Sequence, residues 1–383
     1  MEFAFGLPGQ SIFGTGSSKK LSEIITSFGG KTVFCVYDKG VKKAGIVDGL
    51  LKMMKADGLK VIEYDGVVPN PTDTNVEEAA NIARKADVDV VVAIGGGSAM
   101  DCAKAMNIIL TNPGSIQDYE GLGMVKNPAK PLIAVPTTAG TASEVTGFTI
   151  ITDTKRLKKM VIGGQHVGAT VALLDPELTM SLPASITAST GMDALTHAIE
   201  AYVSKGASVP SDINALKAIS LISRSIVEAT ENGKNADARS NMLLGSMLAG
   251  YAFNSAVLGL VHSIAHPLSV HCGLAHGDAN AAVLPYVMEF NTKVVPEKTY
   301  DIGIAMGICK AGMKAEEGAK LAVEAVKKLL KQLRIKTLQE AGVKREQFER
   351  IAEDALNEIS TLFTPREASK NEIVDILNLA YRS

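Results

Sequence analysis

The sequence predicts an α/β domain over residues 1–182 followed by an all-helical domain over residues 183–383. Between residues 31 and 175, short β-branched runs alternate with helical stretches and Gly or Pro turns, the pattern of a parallel sheet built from strand–helix units. Two of those runs, 90–94 and 132–135, are apolar throughout, which marks strands covered on both faces. After LDPELTMSLP (174–183) the spacing becomes helical, and Ala, Leu, Ile, Met and Lys-rich stretches run to the C-terminus with no strand pattern. That change of period puts the boundary near Leu182. A chain of 383 residues is also too long for one ordinary core.

Taken in order, KTVFCVYD (31–38), VDVVVAIGGG (88–97), PLIAVPTT (131–138) and VALLD (171–175) read as strands, with helices at about 41–57, 73–86 and 99–110. The segment GFTIITDTKRLKKMVIG (147–163) reads as a hairpin laid against the sheet edge. No repeat or low-complexity segment stands out.

The 39 basic and 41 acidic residues are interspersed and leave a net charge of −2. No stripe of one sign can track a nucleic-acid backbone or an anionic membrane, so neither is an expected partner. The cysteines Cys35, Cys102, Cys272 and Cys309 are widely spaced and form no CxxC pair, which fits a reducing cytoplasm. The N-terminal MEFAFGLPGQSIFGTGSSKK lacks a basic region followed by an apolar core and reads as mature protein. Residues 240–277 carry no Asp, Glu, Lys or Arg, yet Asn241, Asn254, Ser255, His262, His266 and several glycines interrupt them. Buried helices around a polar site explain that composition better than a bilayer.

Gly95, Gly96, Gly97 and Ser98 follow the apolar strand and precede a helix carrying Asp101 and Lys104. Such a turn lets the backbone approach a pyrophosphate closely, and the N–H groups and dipole of the next helix favour its charge. A glycine turn with a purely structural role has the same appearance. Asp38 closes the strand KTVFCVY, where a carboxylate can accept hydrogen bonds from an adenosine ribose and repel a 2′-phosphate. It equally suits a solvated Asp that starts the DKG turn. The acid precedes the glycine turn by more than fifty residues, the reverse of the standard dinucleotide fingerprint, which implies a different strand order. PTTAGTASE (136–144) sets hydroxyls and glycine just after a strand, for a cofactor or only a turn.

Four of the six histidines, His262, His266, His271 and His276, fall within fifteen residues. In GMDALTHAIE, Asp193 and His197 are spaced i, i+4 and project from one face of a helix. His262 and His266 repeat that spacing, and His276 lies beyond Pro267, where the expected helix break lets the chain fold back. One carboxylate with neutral imidazoles suits Fe²⁺ or Zn²⁺ and argues against Mg²⁺ or Ca²⁺. The alternative is a set of hydrogen-bonded core histidines.

GGGSAMDCAK, PTTAGTASE, GMDALTHAIEAYVS and VHSIAHPLSVHCGLAHGDANAAVLP, in this order, resemble the iron-containing (group III) alcohol dehydrogenases. The resemblance extends from FGTG (13–16) through PNPT (69–72) and QDYEG (117–121) to TPR (364–366). It implies a dehydroquinate-synthase-like fold with an N-terminal dinucleotide-binding domain, a helical metal-binding catalytic domain and a cleft between them. It assigns metal ligation to Asp193, His197, His262 and His276, and makes His266 a neighbouring proton carrier. Cofactor contacts fall on Asp38, Gly96, Gly97, Ser98, Asp101, Thr137, Thr138 and Lys159, with Asn70 in support. Phe148, Phe253 and Leu258 become walls of the nicotinamide and substrate pocket.

The activity so implied is NAD(H)-linked, Fe²⁺-dependent (or Zn²⁺-dependent) interconversion of small primary alcohols or diols and aldehydes, by a homodimer or larger homo-oligomer. A glycerol-dehydrogenase-like polyol oxidoreductase and a dehydroquinate-synthase-like lyase are the alternatives, and GMDALTHAIE and VHSIAHPL argue against the lyase. A non-enzymatic binding protein would leave the phosphate turn and metal cluster unused. Family members commonly read TTAGTGSE and YNxPHG, whereas this chain has Ala142 and HCGLAHG, with His271 and Cys272 in place of bulkier residues. Those changes bear on pocket shape, and His271 is expected to face solvent.

Overall fold

The structure, a computed structural model, describes residues 3–382. It divides into two compact units, one spanning Leu7–Leu182 and the other taking Pro183 onward with the segment before Leu7.

The first unit begins with β1 (Gln10–Phe13), α1 (Leu21–Ser27), β2 (Thr32–Val36), α2 (Lys39–Lys43), α3 (Ile46–Ala56) and β3 (Lys60–Tyr64). It continues through α4 (Asp73–Ala86), β4 (Val90–Gly95), α5 (Gly97–Thr111), β5 (Gly121–Leu122) and β6 (Leu132–Pro136). The strands β7 (Phe148–Asp153), β8 (Lys158–Gly163) and β9 (Val171–Leu174) complete it. Six strands form one parallel sheet in the order β1-β9-β6-β4-β2-β3. Each face carries its own core, because successive side chains of a strand point to opposite sides. Val33, Cys35, Val90, Val92 and Ile94 pack with Leu21, Ile25, Leu51 and Met54 of α1 and α3. Phe34, Val36, Val91 and Ala93 pack with Val76, Ala80, Met100 and Met106 of α4 and α5. The unbroken apolar runs follow from this two-sided cover.

The helix expected over 41–57 is broken. Gly45 takes φ +75° between α2 and α3, a conformation open to glycine without cost. Two edge strands lie outside the four read from the sequence. β1 has only four residues, and β3 alternates Lys60, Ile62 and Glu63 along a half-exposed edge. The hairpin over 147–163 forms as β7–β8, but it joins β5 in a separate three-stranded sheet instead of extending the edge of the main one.

The second unit is helical: α6 (Ala184–Val203), α7 (Val209–Glu231), α8 (Ala236–Ala256), α9 (Leu260–Cys272) and α10 (His276–Asn291), then α11 (Pro296–Ala305), α12 (Ala315–Gln332), α13 (Phe348–Leu356) and α14 (Lys370–Arg382). Beyond its first turn α6 is buried on almost every side, so it is a central helix rather than an amphipathic one. Among the described residues no single helix is long and apolar enough to cross a membrane; α8 and α9 qualify only together and are bent by 104°. Pro267 does not end α9. The helix runs on to Cys272, and the chain reverses at Gly273, with φ +69°. Removing one N–H at Pro267 is tolerated inside a buried helix, whereas the left-handed turn needs glycine.

At the bend between α8 and α9, Val257 has φ 62° and ψ −179°. Only glycine adopts that region readily, and a β-branched residue there carries about 1–3 kcal/mol of strain. Val257→Gly is expected to raise stability by about 1 kcal/mol once the extra unfolded-state entropy of glycine, about 0.5–1 kcal/mol, is subtracted. Equilibrium denaturant unfolding reads this directly, and an unchanged or lower midpoint would show that the bend holds no such strain.

Candidate functional site

In the first unit the chain runs from β2 outward to β3 and then returns to the other side of β2 with β4. The carboxyl ends of β2 and β4 therefore flank the point where strand order reverses, the usual ligand crevice of open α/β sheets. Asp38 lies just past the end of the first strand and Gly95–Gly97 span the turn that leaves the second, so adjacency in the sheet explains why the acid precedes the glycines along the chain. Asp38 Oδ1 caps α2 by accepting from Gly40 N at 2.7 Å and Val41 N at 3.0 Å. Its Oδ2 faces the glycine turn, 3.5 Å from where a Cβ on Gly95 would lie. Asp38 is thus the residue that starts the turn into α2, and its second oxygen lies beside the glycine turn.

The glycines are sterically required. Gly95 has φ +152°, and a Cβ there would meet Ala99 Cβ at 2.9 Å; one on Gly97 would meet Thr141 Cγ2 at 2.7 Å. Thr138 packs on Gly96, and Thr137 N donates to Gly95 O at 2.9 Å. Gly97 and Ser98 open α5, whose 15 residues supply a full helix dipole.

Beneath the turn, Lys104 is buried and donates from Nζ to Ser143 O at 2.6 Å, Ser143 Oγ at 2.9 Å, Thr146 O at 3.0 Å and Phe148 O at 2.7 Å. Asp101, one turn earlier, accepts from Ser143 Oγ at 2.7 Å. One ammonium thus ties the segment after β6 to the helix that begins at the glycines. Burial pulls the Lys104 pKa down to about 8, and burial pushes Glu144 up to about 7. Asp101 is also raised by burial, against the opposing charges of Lys104 and Lys159. Lys159 lies on β8 opposite Thr152. Asn70 stands in a left-handed turn, φ 54°, before α4. Phe148 starts β7 and lies over Gly163, where a Cβ would meet its ring at 2.6 Å.

In the second unit, Asp193, His197, His262 and His276 bring one ligand atom each within 4.8 Å of one another. Asp193 and His197 come from α6, His262 from α9, and His276 opens α10. The Nε2 atoms of His197, His262 and His276 lie 3.8, 3.9 and 3.8 Å from Asp193 Oδ1. Three of the four are buried, while the His276 side chain is 24% exposed, so one side of the cluster is open to solvent. Three imidazoles and a carboxylate are a donor set that suits a divalent iron or zinc ion, and their atoms, 3.8–3.9 Å from Asp193 Oδ1 and within 4.8 Å of one another, can converge on one ion by small side-chain movements.

Around these four stand residues that the spacing rules did not single out. Glu200 lies on the face of α6 that carries Asp193 and His197, and its buried Oε2 accepts a hydrogen bond from His262 Nδ1 at 2.6 Å. That bond fixes the tautomer in which His262 Nε2 offers its lone pair to a cation. Glu200 Oε1 also accepts Val261 N at 2.7 Å, capping α9 where Gly259 has no side chain to do so. Its signal was the extension of DxxxH to DxxxHxxE. Asn280, one turn after His276, places Nδ2 2.7 Å from Asp193 Oδ1. Glu358 meets His266 Nδ1 at 3.1 Å from a segment remote in sequence, with no local signal.

His266 is buried, with its ring stacked on that of His276 at 5.3 Å. Phe253 stacks on His197 at 4.5 Å, and Leu258 follows the Val257 bend. His271 does not simply face solvent: its Nε2 pairs with Asp354 Oδ2 at 2.5 Å and its ring is mostly covered, because α13 packs along α9.

Residues 8–176 match the model of the family described as Iron-containing alcohol dehydrogenase. Residues 187–381 match that of the Fe-containing alcohol dehydrogenase family, C-terminal. The chain is 41% identical over 382 residues to the 1,3-propanediol dehydrogenase of Citrobacter freundii, covering 99% of both. To the NAD-dependent methanol dehydrogenase of Bacillus methanolicus it is 37% identical over 377 residues, 98% of this chain and 99% of that one. A solved 1,3-propanediol oxidoreductase superposes with a TM-score of 0.97 at 40% identity, over 100% of each chain.

Proposed function

The chain belongs to the iron-containing alcohol dehydrogenase family, and from that premise we propose an NAD(H)-linked, iron-dependent enzyme that interconverts small primary alcohols or diols and their aldehydes. It is an alcohol or diol oxidoreductase; the cofactor, the metal and the residue roles are the proposal. The observation that carries it is the convergence of Asp193, His197, His262 and His276 with one side open. When bound, a divalent ion there supplies a Lewis acid for an alcohol or aldehyde oxygen, and a nicotinamide supplies or accepts the hydride.

The protein residues do the rest. Asp193 contributes the single negative charge among the four ligands, so the centre keeps a net charge of about +1 with which to favour an anionic oxygen. Glu200 holds His262 in its ligating tautomer. His266, held at Nδ1 by Glu358, moves the substrate proton through Nε2. Phe253 and Leu258 form apolar walls on the metal side, and Phe148 on the cofactor side. Gly96, Gly97 and Ser98 bind the pyrophosphate, with Thr137, Thr138, Asp101, Lys159 and Asn70 supporting that turn. The chain works as a homo-oligomer in a reducing cytoplasm, where its four free cysteines stay reduced.

The test is an anaerobic panel of short alcohols, diols and aldehydes with NAD(H) after reconstitution with Fe²⁺ or Zn²⁺. Net NADH consumption equal to the aldehyde reduced is expected, with Fe²⁺ the more active. Phosphate release without net redox, or no turnover across the panel, would overturn the reading.

Asp38 sets the choice between NAD(H) and NADP(H). Its carboxylate and a 2′-phosphate would meet in one space, and their repulsion amounts to roughly tenfold or more in relative kcat/KM. Asp38→Asn keeps a capping side chain for α2 but removes the charge, and should raise the NADP(H)/NAD(H) ratio by about that factor. Asp38→Gly should raise it further while loosening α2. An unchanged ratio in both variants would mean that Asp38 does not meet the ribose.

A further inference from the structure

Asn280 is fully buried on α10, and its amide nitrogen makes three contacts with the candidate ligands. Besides Asp193 Oδ1 at 2.7 Å, Nδ2 lies 3.1 Å from His262 Nε2 and 3.2 Å from His276 Nε2. The orientation of the amide is dictated by chemistry. An ionised carboxylate only accepts, so the NH₂ end must face Asp193, and Oδ1 is left buried with no hydrogen-bond partner. Leaving a buried carbonyl unpaired is unfavourable; the contacts made by the nitrogen outweigh it. Those contacts are oversubscribed, since an NH₂ group has two protons and three acceptors surround it. Each imidazole Nε2 has a single in-plane lone pair, the one a cation would use, and an N–H donor and a metal ion cannot both occupy it.

We propose that Asn280 is a positioning residue that competes with the metal. Its amide holds Asp193, His262 and His276 in register in the metal-free protein; on loading it gives up both imidazoles and keeps only Asp193. The inference rests on the reading that the four residues bind a cation, and goes beyond it by assigning the metal's competitor. Asn280 then tunes affinity downward in exchange for a preformed centre, the opposite of a residue that only orients a ligand, whose loss weakens binding by about 10–100-fold.

The test compares wild type with Asn280→Leu, which keeps the branched shape and removes the polar atoms. Thermal midpoints are measured with and without Zn²⁺, and Zn²⁺ affinity by competition with a chromophoric chelator. Asn280→Leu should lower the midpoint of the metal-free protein by several degrees and that of the loaded protein, which loses only the Asp193 contact, by clearly less, and should bind Zn²⁺ about tenfold more tightly, the worth of the two imidazole hydrogen bonds no longer lost on loading. Asn280→Ala repeats the comparison without added methyl groups if the leucine variant fails to fold. An equal drop in both states with unchanged affinity would reduce Asn280 to packing, and weaker binding would make it an orienting residue; either overturns the proposal. If wild type itself bound no Zn²⁺, the four-ligand reading would fail instead.

Discussion

His262→Ala should purify with little bound metal and lose turnover by about a thousandfold or more, the several kcal/mol that a Lewis acid contributes, whereas His266→Ala should keep most of its metal while losing rate. His262 is enclosed between Asp193, His197 and Glu200, so its removal deletes a ligand and also deprives the buried Oε2 of Glu200 of its imidazole donor. His266 lies one ring further out, stacked on His276 and held by Glu358. Asp193→Ala removes a donor and raises the net charge of the centre by one unit, so it too should shed metal. Metal analysis of the three variants beside NADH kinetics decides the matter. Equal metal loss at His266 and His262 would show the ligand assignment to be wrong.

The second large effect concerns stability. Lys104→Met is expected to cost about 3–5 kcal/mol, because it breaks a buried charge network rather than a surface contact. The side chains are similar in length, so packing is largely kept and the loss is electrostatic. Backbone oxygens of Ser143, Thr146 and Phe148 would lose their shared donor, and Asp101 and Glu144 would lose the positive charge that favours their ionised forms. NAD(H) affinity should fall with stability, since the same ammonium fixes the segment that packs on the glycine turn. Denaturant unfolding measures the first effect and NADH fluorescence titration the second. A loss under about 1 kcal/mol would show that the carbonyls find other partners.

The architecture was legible where burial imposes a single pattern. β4 and β6 are covered on both faces, and their uninterrupted apolar runs say so. β3 was illegible for the converse reason: at the sheet edge, Lys60 and Glu63 are affordable, and the run KVIEY loses its strand character. Pro267 misleads because tertiary burial of α9 outweighs a lost backbone bond, while Gly273, an ordinary glycine in sequence, does the turning. In the metal cluster, helical spacing joins Asp193 to His197 and extends to Glu200 one turn on. Nothing local joins His266 to Glu358 or His271 to Asp354, since those pairs exist only after α13 and the chain that follows it fold back onto α9.

All four candidate ligands belong to the helical unit, and they come from three separate helices. A bound ion is therefore a cross-link: it ties α6 to α9 and α10 across the whole of α7 and α8, closing a long loop that the unfolded chain would otherwise sample freely. Its binding energy is spent on that unit's folding as well as on chemistry. Loading with the metal should therefore raise the unfolding midpoint of this unit, so that removing the ion costs stability as well as activity.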